Sequence, residues 1–372
     1  MSDILVAQRQ ALLLQELRAS GAVRISDLAA RFGVSGGTIR RDLAELAAAG
    51  RVKKVRGGAV LAEPETGAEA AAAPAPGPTP TPAPPAPGRT LGLLVPSATY
   101  YYPQVVAGVR AVAAERGARI VIGLTDYAQP RDLQQIDELR ASGVSGLLVA
   151  STGGHCPPPE TLAQLRDGDI PFVLLERQPE NSYEPCEFVV SDHRQGAYGA
   201  VRHLRDLGHT RVALYTNGSP TAPLIREGYA AAVTRLGLDP SAPVRDGGRP
   251  TLGSAEAARQ YDAFIDACLE SETRAALIHS DHDAIELMQR MRGRGLRTPE
   301  DMALIAYDDE IAALAEVPLT AVAPAKYEIG AQAALLMLAR LDSAESMATR
   351  QLVMQPRLII RESCGSPAPA AD

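Results

Sequence analysis

Val34-Ser35-Gly36-Gly37-Thr38-Ile39-Arg40-Arg41-Asp42-Leu43 reads as the opening of an amphipathic helix. Ser35 suits the N-cap, because its hydroxyl can accept a hydrogen bond from an early backbone N–H that lacks a helical partner. Ile39, Leu43 and Leu46 recur at i, i+4 and i+7 and form one apolar stripe. The opposite side carries Thr38, Arg40 and Arg41. A helix that buries one face and offers two arginines and a hydroxyl on the other can enter a DNA major groove. There arginine pairs with guanine edges or holds phosphates. Taken alone, such a helix is more often a solvated surface face, so its neighbours decide.

Upstream, Leu5, Leu12, Leu13 and Leu17 lie on one side of a first amphipathic helix that ends near Gly21. A short second helix follows, capped by Ser26 or Asp27 and closed by Gly33, which tolerates the left-handed conformation at a helix C-terminus. Helix, tight turn and helix have the spacing of a helix-turn-helix unit. Downstream, Val52, Val55 and Val60 flank Gly57-Gly58 and read as a short hairpin, or wing. Its Arg51, Lys53, Lys54 and Arg56 suit phosphate contacts.

Charge divides the same way. Residues 1–60 hold ten Lys/Arg and five Asp/Glu, a net of +5, inside a chain of 372 residues whose net charge is −7. The remainder therefore carries −12. A basic head on an acidic body fits a polyanion-binding module joined to something else. Residues 9–60 resemble the DeoR-family winged helix-turn-helix, through Ile25-Ser-Asp-Leu-Ala29, the Val-Ser-x-x-Thr-Ile-Arg-Arg-Asp-Leu run and the closing Gly-Gly-Ala-Val. The resemblance implies that Ser35, Thr38, Arg40 and Arg41 face DNA. Gly36-Gly37 in the first turn departs from it, each glycine weakening the helix by about 0.5–1 kcal/mol.

Residues 61–89 are nearly all Ala, Pro, Gly, Thr and Glu, with eight prolines between 74 and 87. Such a segment is a semi-rigid polyproline-type spacer at roughly 3.1 Å per residue, not a helix or a sheet ladder. Beyond it, short apolar runs alternate with amphipathic helical runs as far as about residue 364, the pattern of right-handed β-α-β units and parallel sheet. Ligands in such sheets bind past the carboxyl ends of the strands. The residues there are polar and aromatic: Thr99 to Tyr102, Thr125-Asp126-Tyr127, Ser151-Thr152, Glu176-Arg177, Asp192-His193, Thr216-Asn217, Ser280 to Asp283 and Asp308-Asp309. Rings, carboxylates and an arginine on one rim suit a small polyol or sugar.

The body resembles the sugar-binding core of the LacI/GalR regulators and periplasmic sugar-binding proteins. Phe188-Val-Val-Ser-Asp192, Ala200 to His209, Arg297-Thr-Pro-Glu-Asp-Met302, Ala306-Tyr-Asp-Asp309, Pro318-Leu-Thr320 and Arg361-Glu-Ser363 carry the resemblance. It implies two Rossmann-like α/β lobes of the periplasmic-binding-protein-like type I fold, with the winged helix-turn-helix as a small N-terminal domain. Lobe 1 is expected over about 90–192 and 323–342, lobe 2 over about 193–322 and 351–363, and a structureless tail over 365–372. The chain is expected to cross between lobes near 192–194, 322–323 and 342–351. Thr99, Tyr101, Tyr102, Glu176, Arg177 and Asp308 fall at the family's ligand contacts. Asp126, Ser151, Arg226 and Asp281 join them as rim residues. Three departures stand out: Ile225 where the family has arginine, with Arg226 one step late; Ser280-Asp281 for Asn-Asp; Ala323-Pro324 for Arg-Gln.

Other chemistries find little support. His279-Ser-Asp-His-Asp283 invites a metal, but immediate neighbours rarely converge on one ion. Asp192-His193 has no G-x-S-x-G elbow, and no P-loop or G-x-G-x-x-G occurs. No metal, cofactor or catalytic residue is expected. The four cysteines are far apart and read as reduced thiols. No signal-peptide layout opens the chain, and no apolar run approaches the roughly 18 residues of a membrane span. The expectation is a cytoplasmic, ligand-responsive transcription regulator, a repressor of carbohydrate-utilisation genes, acting as a homodimer or tetramer with double-stranded operator DNA and a sugar-like effector as partners. A transport-type solute-binding protein and an enzyme acting on a sugar or sugar phosphate are the disfavoured alternatives.

Overall fold

The computed structural model describes residues 22–24, 36–48, 52–55, 58–61, 88–128, 131–343 and 347–366. The chain divides into two units, 1–83 and 84–372. The first two expected helices, Ser35, Arg56, nearly all of the Pro-rich spacer and residues 367–372 lie outside the described residues.

In the first unit, β1 (Ala22–Arg24) precedes α1 (Gly36–Ala48), β2 (Val52–Val55) and β3 (Gly58–Leu61). Ile39, Leu43 and Leu46 are buried, as their spacing requires, and Val52 is buried with them. β2 and β3 pair antiparallel with Val55 opposite Gly58, which is the expected wing hairpin. β1 adds a third strand on the far side of β3, a pairing not expected from the sequence.

The second unit opens with β4 (Thr90–Val95), α2 (Tyr102–Glu115), β5 (Arg119–Leu124), α3 (Arg131–Ala141), β6 (Gly146–Val149), α4 (Pro159–Asp167), β7 (Phe172–Leu175) and β8 (Phe188–Ser191). It continues through α5 (His193–Asp206), β9 (Ala213–Thr216), α6 (Ala222–Leu236), β10 (Val244–Asp246), α7 (Ala255–Glu270), β11 (Ala275–Ile278), α8 (Asp281–Gly293) and β12 (Ala303–Tyr307). It closes with β13 (Thr320–Ala323), α9 (Lys326–Asp342), β14 (Gln351–Met354) and β15 (Arg357–Ile359). One sheet has the order β14-β8-β7-β6-β4-β5 and is wholly parallel. The other has the order β10-β9-β11-β12-β13-β15 and is parallel except for its last pair. The central strands are buried at every position because helices cover both faces.

Each lobe packs one helix pair through glycine. A methyl group at Gly108 of α2 would run into the Tyr327 carbonyl of α9, and one at Gly330 of α9 into the Val105 carbonyl of α2. In lobe 2 a methyl at Gly228 of α6 would meet the Arg194 carbonyl of α5.

Among the described residues three crossings link the lobes, and the third differs from expectation. β14 pairs with β8 in the first sheet, and β15 pairs with β13 in the second. The stretch 351–354 thus belongs to lobe 1, and the chain changes sheets at Gln355-Pro356, not between 342 and 351. Proline has no N–H to continue a ladder, so what reads as one strand over 352–358 becomes two. α4 and β10 were also not expected. α4 is short and proline-led, and β10 has all three residues exposed, leaving no period-2 pattern to detect.

Candidate functional site

The strands of both sheets end on one cavity of about 310 Å³. Lobe 1 contributes Tyr100, Tyr101, Tyr102, Tyr127, Glu176 and Arg177 to its wall. Lobe 2 contributes Asn217, Ser219, Thr221, Arg249, His279, Ser280, His282, Asp283 and Asp308, with His193 from the first crossing. The backbone marks the same place. Among the described residues, seven non-glycines have positive φ, and six of them (Tyr100, Asp126, Tyr127, Glu176, Asp308 and Asp309) sit just beyond strand ends. Each such residue stores roughly 1–3 kcal/mol of strain, which persists only where surrounding contacts hold it.

Arg177 is fixed from behind. Its Nε donates to the Ser151 carbonyl at 3.0 Å and its Nη1 to the Glu176 carbonyl at 2.7 Å, with the Tyr102 hydroxyl beside it. Glu176 is buried, which would raise its pKa. The neighbouring His193 and the donors Tyr101 and Ser191 outweigh burial and bring it down to about 2. It is a charged, fully engaged carboxylate.

Asp308 is the opposite case. Burial pushes its carboxyl up to about 6, against the pull of Lys326 and with the push of Asp281. His279, 3.8 Å away, is buried and brought down to about 4, so it is neutral at pH 7. His279 Nδ1 and His193 Nε2 are buried with no hydrogen-bond partner. The cavity thus presents a guanidinium on one wall, a weakly acidic carboxyl on the other, the imidazoles of His193 and His279 and four tyrosine rings. Such a set binds hydroxyl groups in both donor and acceptor senses and stacks against a ring's C–H face.

The expected ligand residues separate into two groups. Tyr101, Tyr102, Glu176, Arg177 and Asp308 line the cavity. Thr99 does not: it is exposed and turned onto Ser97, whose hydroxyl lies 3.0 Å from its own. Asp126 pairs with Arg131, Arg226 pairs with Asp246, and Ile225 before it is core. Ser151 stands behind Arg177 as a backbone acceptor. Asp281 is committed to the fold, accepting the Glu310 and Ile311 amides at 2.7 and 2.8 Å. Asp283, read in the sequence as a rim residue and as part of a possible metal cluster, lines the cavity but accepts from Ser280, Asn217 and Tyr261 and caps α8. Among the described residues no group of His, Cys, Asp or Glu is placed to hold a metal ion. Two wall segments went unread in the sequence, Ser219-Pro220-Thr221 and Gly248 to Leu252. The second follows β10, and without that strand there was no strand end to inspect. The Gly247-Gly248 pair was the available signal.

In the first unit, Arg41 is exposed on α1, Thr38 is half-buried and Asp42 is buried. Arg40, Lys53 and Lys54 hold backbone positions in α1 and β2, and their side chains lie outside the described set.

Residues 9–65 match the DeoR-like helix-turn-helix domain, and residues 201–364 match the periplasmic binding protein-like domain. The chain joins a DeoR-like head to a periplasmic binding protein-like body. An arabinose metabolism transcriptional repressor of Geobacillus stearothermophilus is 25% identical over 350 residues, covering 91% of this chain and 89% of that one. The ribose operon repressor of Escherichia coli K12 is 29% identical over 280 residues, covering 74% and 82%. The transcriptional regulator CelR in complex with cellobiose superposes with a TM-score of 0.63 at 23% identity, over 75% of this chain and 86% of that one. A LacI-family regulator from Enterococcus faecium with bound ribose gives 0.62 at 21%, over 74% and 98%. These superpositions show that the periplasmic binding protein-like body has the fold of LacI-family regulators. Among the described residues no helix is long and apolar enough to cross a membrane.

Proposed function

We propose that this chain is a ligand-responsive transcription regulator, a repressor whose DeoR-like head binds operator DNA and whose body binds a sugar-like effector between its lobes. The observation that carries the reading is the cavity, because Arg177 and Asp308 reach it from different lobes. A ligand held by both favours one lobe arrangement, and a ligand changes DNA affinity only if the two arrangements differ in it. Thr38, Arg40 and Arg41 of α1, with Ser35 at its start, read bases and adjacent phosphates. Lys53, Lys54 and Arg56 of the wing hold phosphates. The protein works in the cytoplasm as a homodimer, whose two heads meet two half-sites, and it carries out no catalysis.

Similarity to sugar-operon repressors supports the effector class. The test is an operator selected from randomised DNA, followed by fluorescence anisotropy of its complex with the full chain, with and without pentoses, hexoses and disaccharides. The expected result is specific binding, weakened at least about tenfold by one class of sugar, the scale of typical allosteric coupling. Specific binding that no sugar alters overturns the effector assignment, and absence of any selected operator overturns the whole reading.

A further inference from the structure

Tyr100 crosses the cleft. It belongs to the loop between β4 and α2 of lobe 1, and its hydroxyl reaches two carboxylates of lobe 2, Asp281 and, at 3.2 Å, Asp308. Its ring lies against His282, with centroids 4.8 Å apart. Its φ of 60° is in the left-handed region, which a residue with a Cβ holds only where contacts such as these compensate. Tyr101 does nothing of the kind, since its hydroxyl stays inside lobe 1 on Glu176.

The two carboxylates are not independent. Asp281 Oδ2 also accepts the Glu310 and Ile311 amides, so the Tyr100 hydroxyl is tied to the loop that carries Asp308. Asp308 faces the cavity, and Tyr100 already occupies its Oδ2. A phenol is a better donor to a carboxylate than an alcohol because its proton is more acidic, with a pKa near 10.

We propose that Tyr100 is a built-in competitor for the effector and the residue that sets its specificity. Its hydroxyl stands on Asp308 and Asp281 where an effector hydroxyl would bind, and it holds the lobes together until a ligand displaces it. The proposal rests on the cleft being the effector site. A ligand that replaces a phenol with one alcohol gains nothing from that exchange. It must add contacts elsewhere, at Arg177 and on the tyrosine rings, so the site selects polyols with several hydroxyls and a ring face against small or sparsely hydroxylated molecules.

The test is hydrogen–deuterium exchange of the full chain with no DNA and no sugar, so its failure is separate from failure of the effector reading. Tyr100→Phe removes one oxygen and keeps the ring on His282. The Lys326–Glu310 and Gln104–Glu310 contacts remain in the variant and limit how far the lobes part. Exchange at the Glu310 and Ile311 amides is expected to quicken about fivefold or more in Tyr100→Phe and to stay at the parent rate in Tyr101→Phe. Unchanged exchange in Tyr100→Phe, or an equal effect of Tyr101→Phe, overturns the proposal. Titrations with D-ribose, L-arabinose and cellobiose then separate competitor from ligand contact. A sugar that binds the parent binds Tyr100→Phe about threefold or more tightly. A sugar that instead binds the variant more weakly overturns the competitor role.

Discussion

Arg177 and Asp308 line one cavity from opposite lobes, and the chain treats them in opposite ways. Arg177 is anchored by two backbone carbonyls, so its position is set before a ligand arrives. Asp308 is a buried carboxyl brought up to about 6; Tyr100 donates to its Oδ2, and Lys326 donates to its backbone carbonyl. One wall is preorganised and the other exchangeable.

Arg177→Ala should therefore lose ligand affinity without losing the fold. A hydrogen bond to a charged group contributes roughly 1.5–3 kcal/mol, so effector binding should weaken about ten- to a hundredfold by calorimetry. An unchanged affinity would place the ligand elsewhere. Arg226→Ala, which breaks only the surface pair with Asp246, should leave binding unaltered.

Two buried groups in the cleft pull stability in opposite directions with pH. Asp308 binds a proton in the folded protein up to about pH 6, whereas an unfolded carboxyl releases it near pH 4. Its contribution to stability thus falls as pH rises from about 4 to 6. His279 is neutral when folded down to about pH 4 but protonates in the unfolded chain near pH 6.5. Its contribution is fully present above pH 6.5 and is lost as pH falls through that window. Urea melts of the body between pH 4.5 and 7 should show the two partly cancelling. Asp308→Asn should steepen the loss of stability toward low pH, and His279→Gln should flatten or reverse it.

Gly330→Ala should destabilise the body although alanine favours helix. The added methyl would strike the Val105 carbonyl of α2, and overpacking of a closely packed contact costs about 1–3 kcal/mol. Thermal unfolding should show a lower Tm than the parent, and a higher Tm would mean that the helix pair is not this closely packed.

On the head, Arg41→Ala should weaken operator binding by about 1–3 kcal/mol and relax preference at one base position. Lys53→Ala should weaken all sequences alike and reduce the salt-dependence slope by about one. A changed base preference in Lys53→Ala would reassign the wing from phosphate to base contact.

Much of this molecule is local in origin and so legible from residue order. The stripe of Ile39, Leu43 and Leu46 follows from helix period, and the parallel sheets follow from apolar runs alternating with helices. Even the rim of the cleft could be approached, because parallel strands put their carboxyl ends on one side. Glu176-Arg177 and Asp308 were found in this way. What residue order could not decide was which polar rim residue has already been claimed by another. Asp281 and Asp308 look alike in sequence, yet two backbone amides take the first while the second faces the cavity. Arg226 lost its role to Asp246, and Tyr100, indistinguishable from its two neighbours in sequence, crosses between lobes. The partners of these groups lie tens to hundreds of residues away, so only the packed chain sets which hydrogen bonds are made and which remain for a ligand. The last crossing has the same cause. Proline 356 marks a break, but the pairing of Gln351–Met354 with Phe188–Ser191 decides on which lobe it falls.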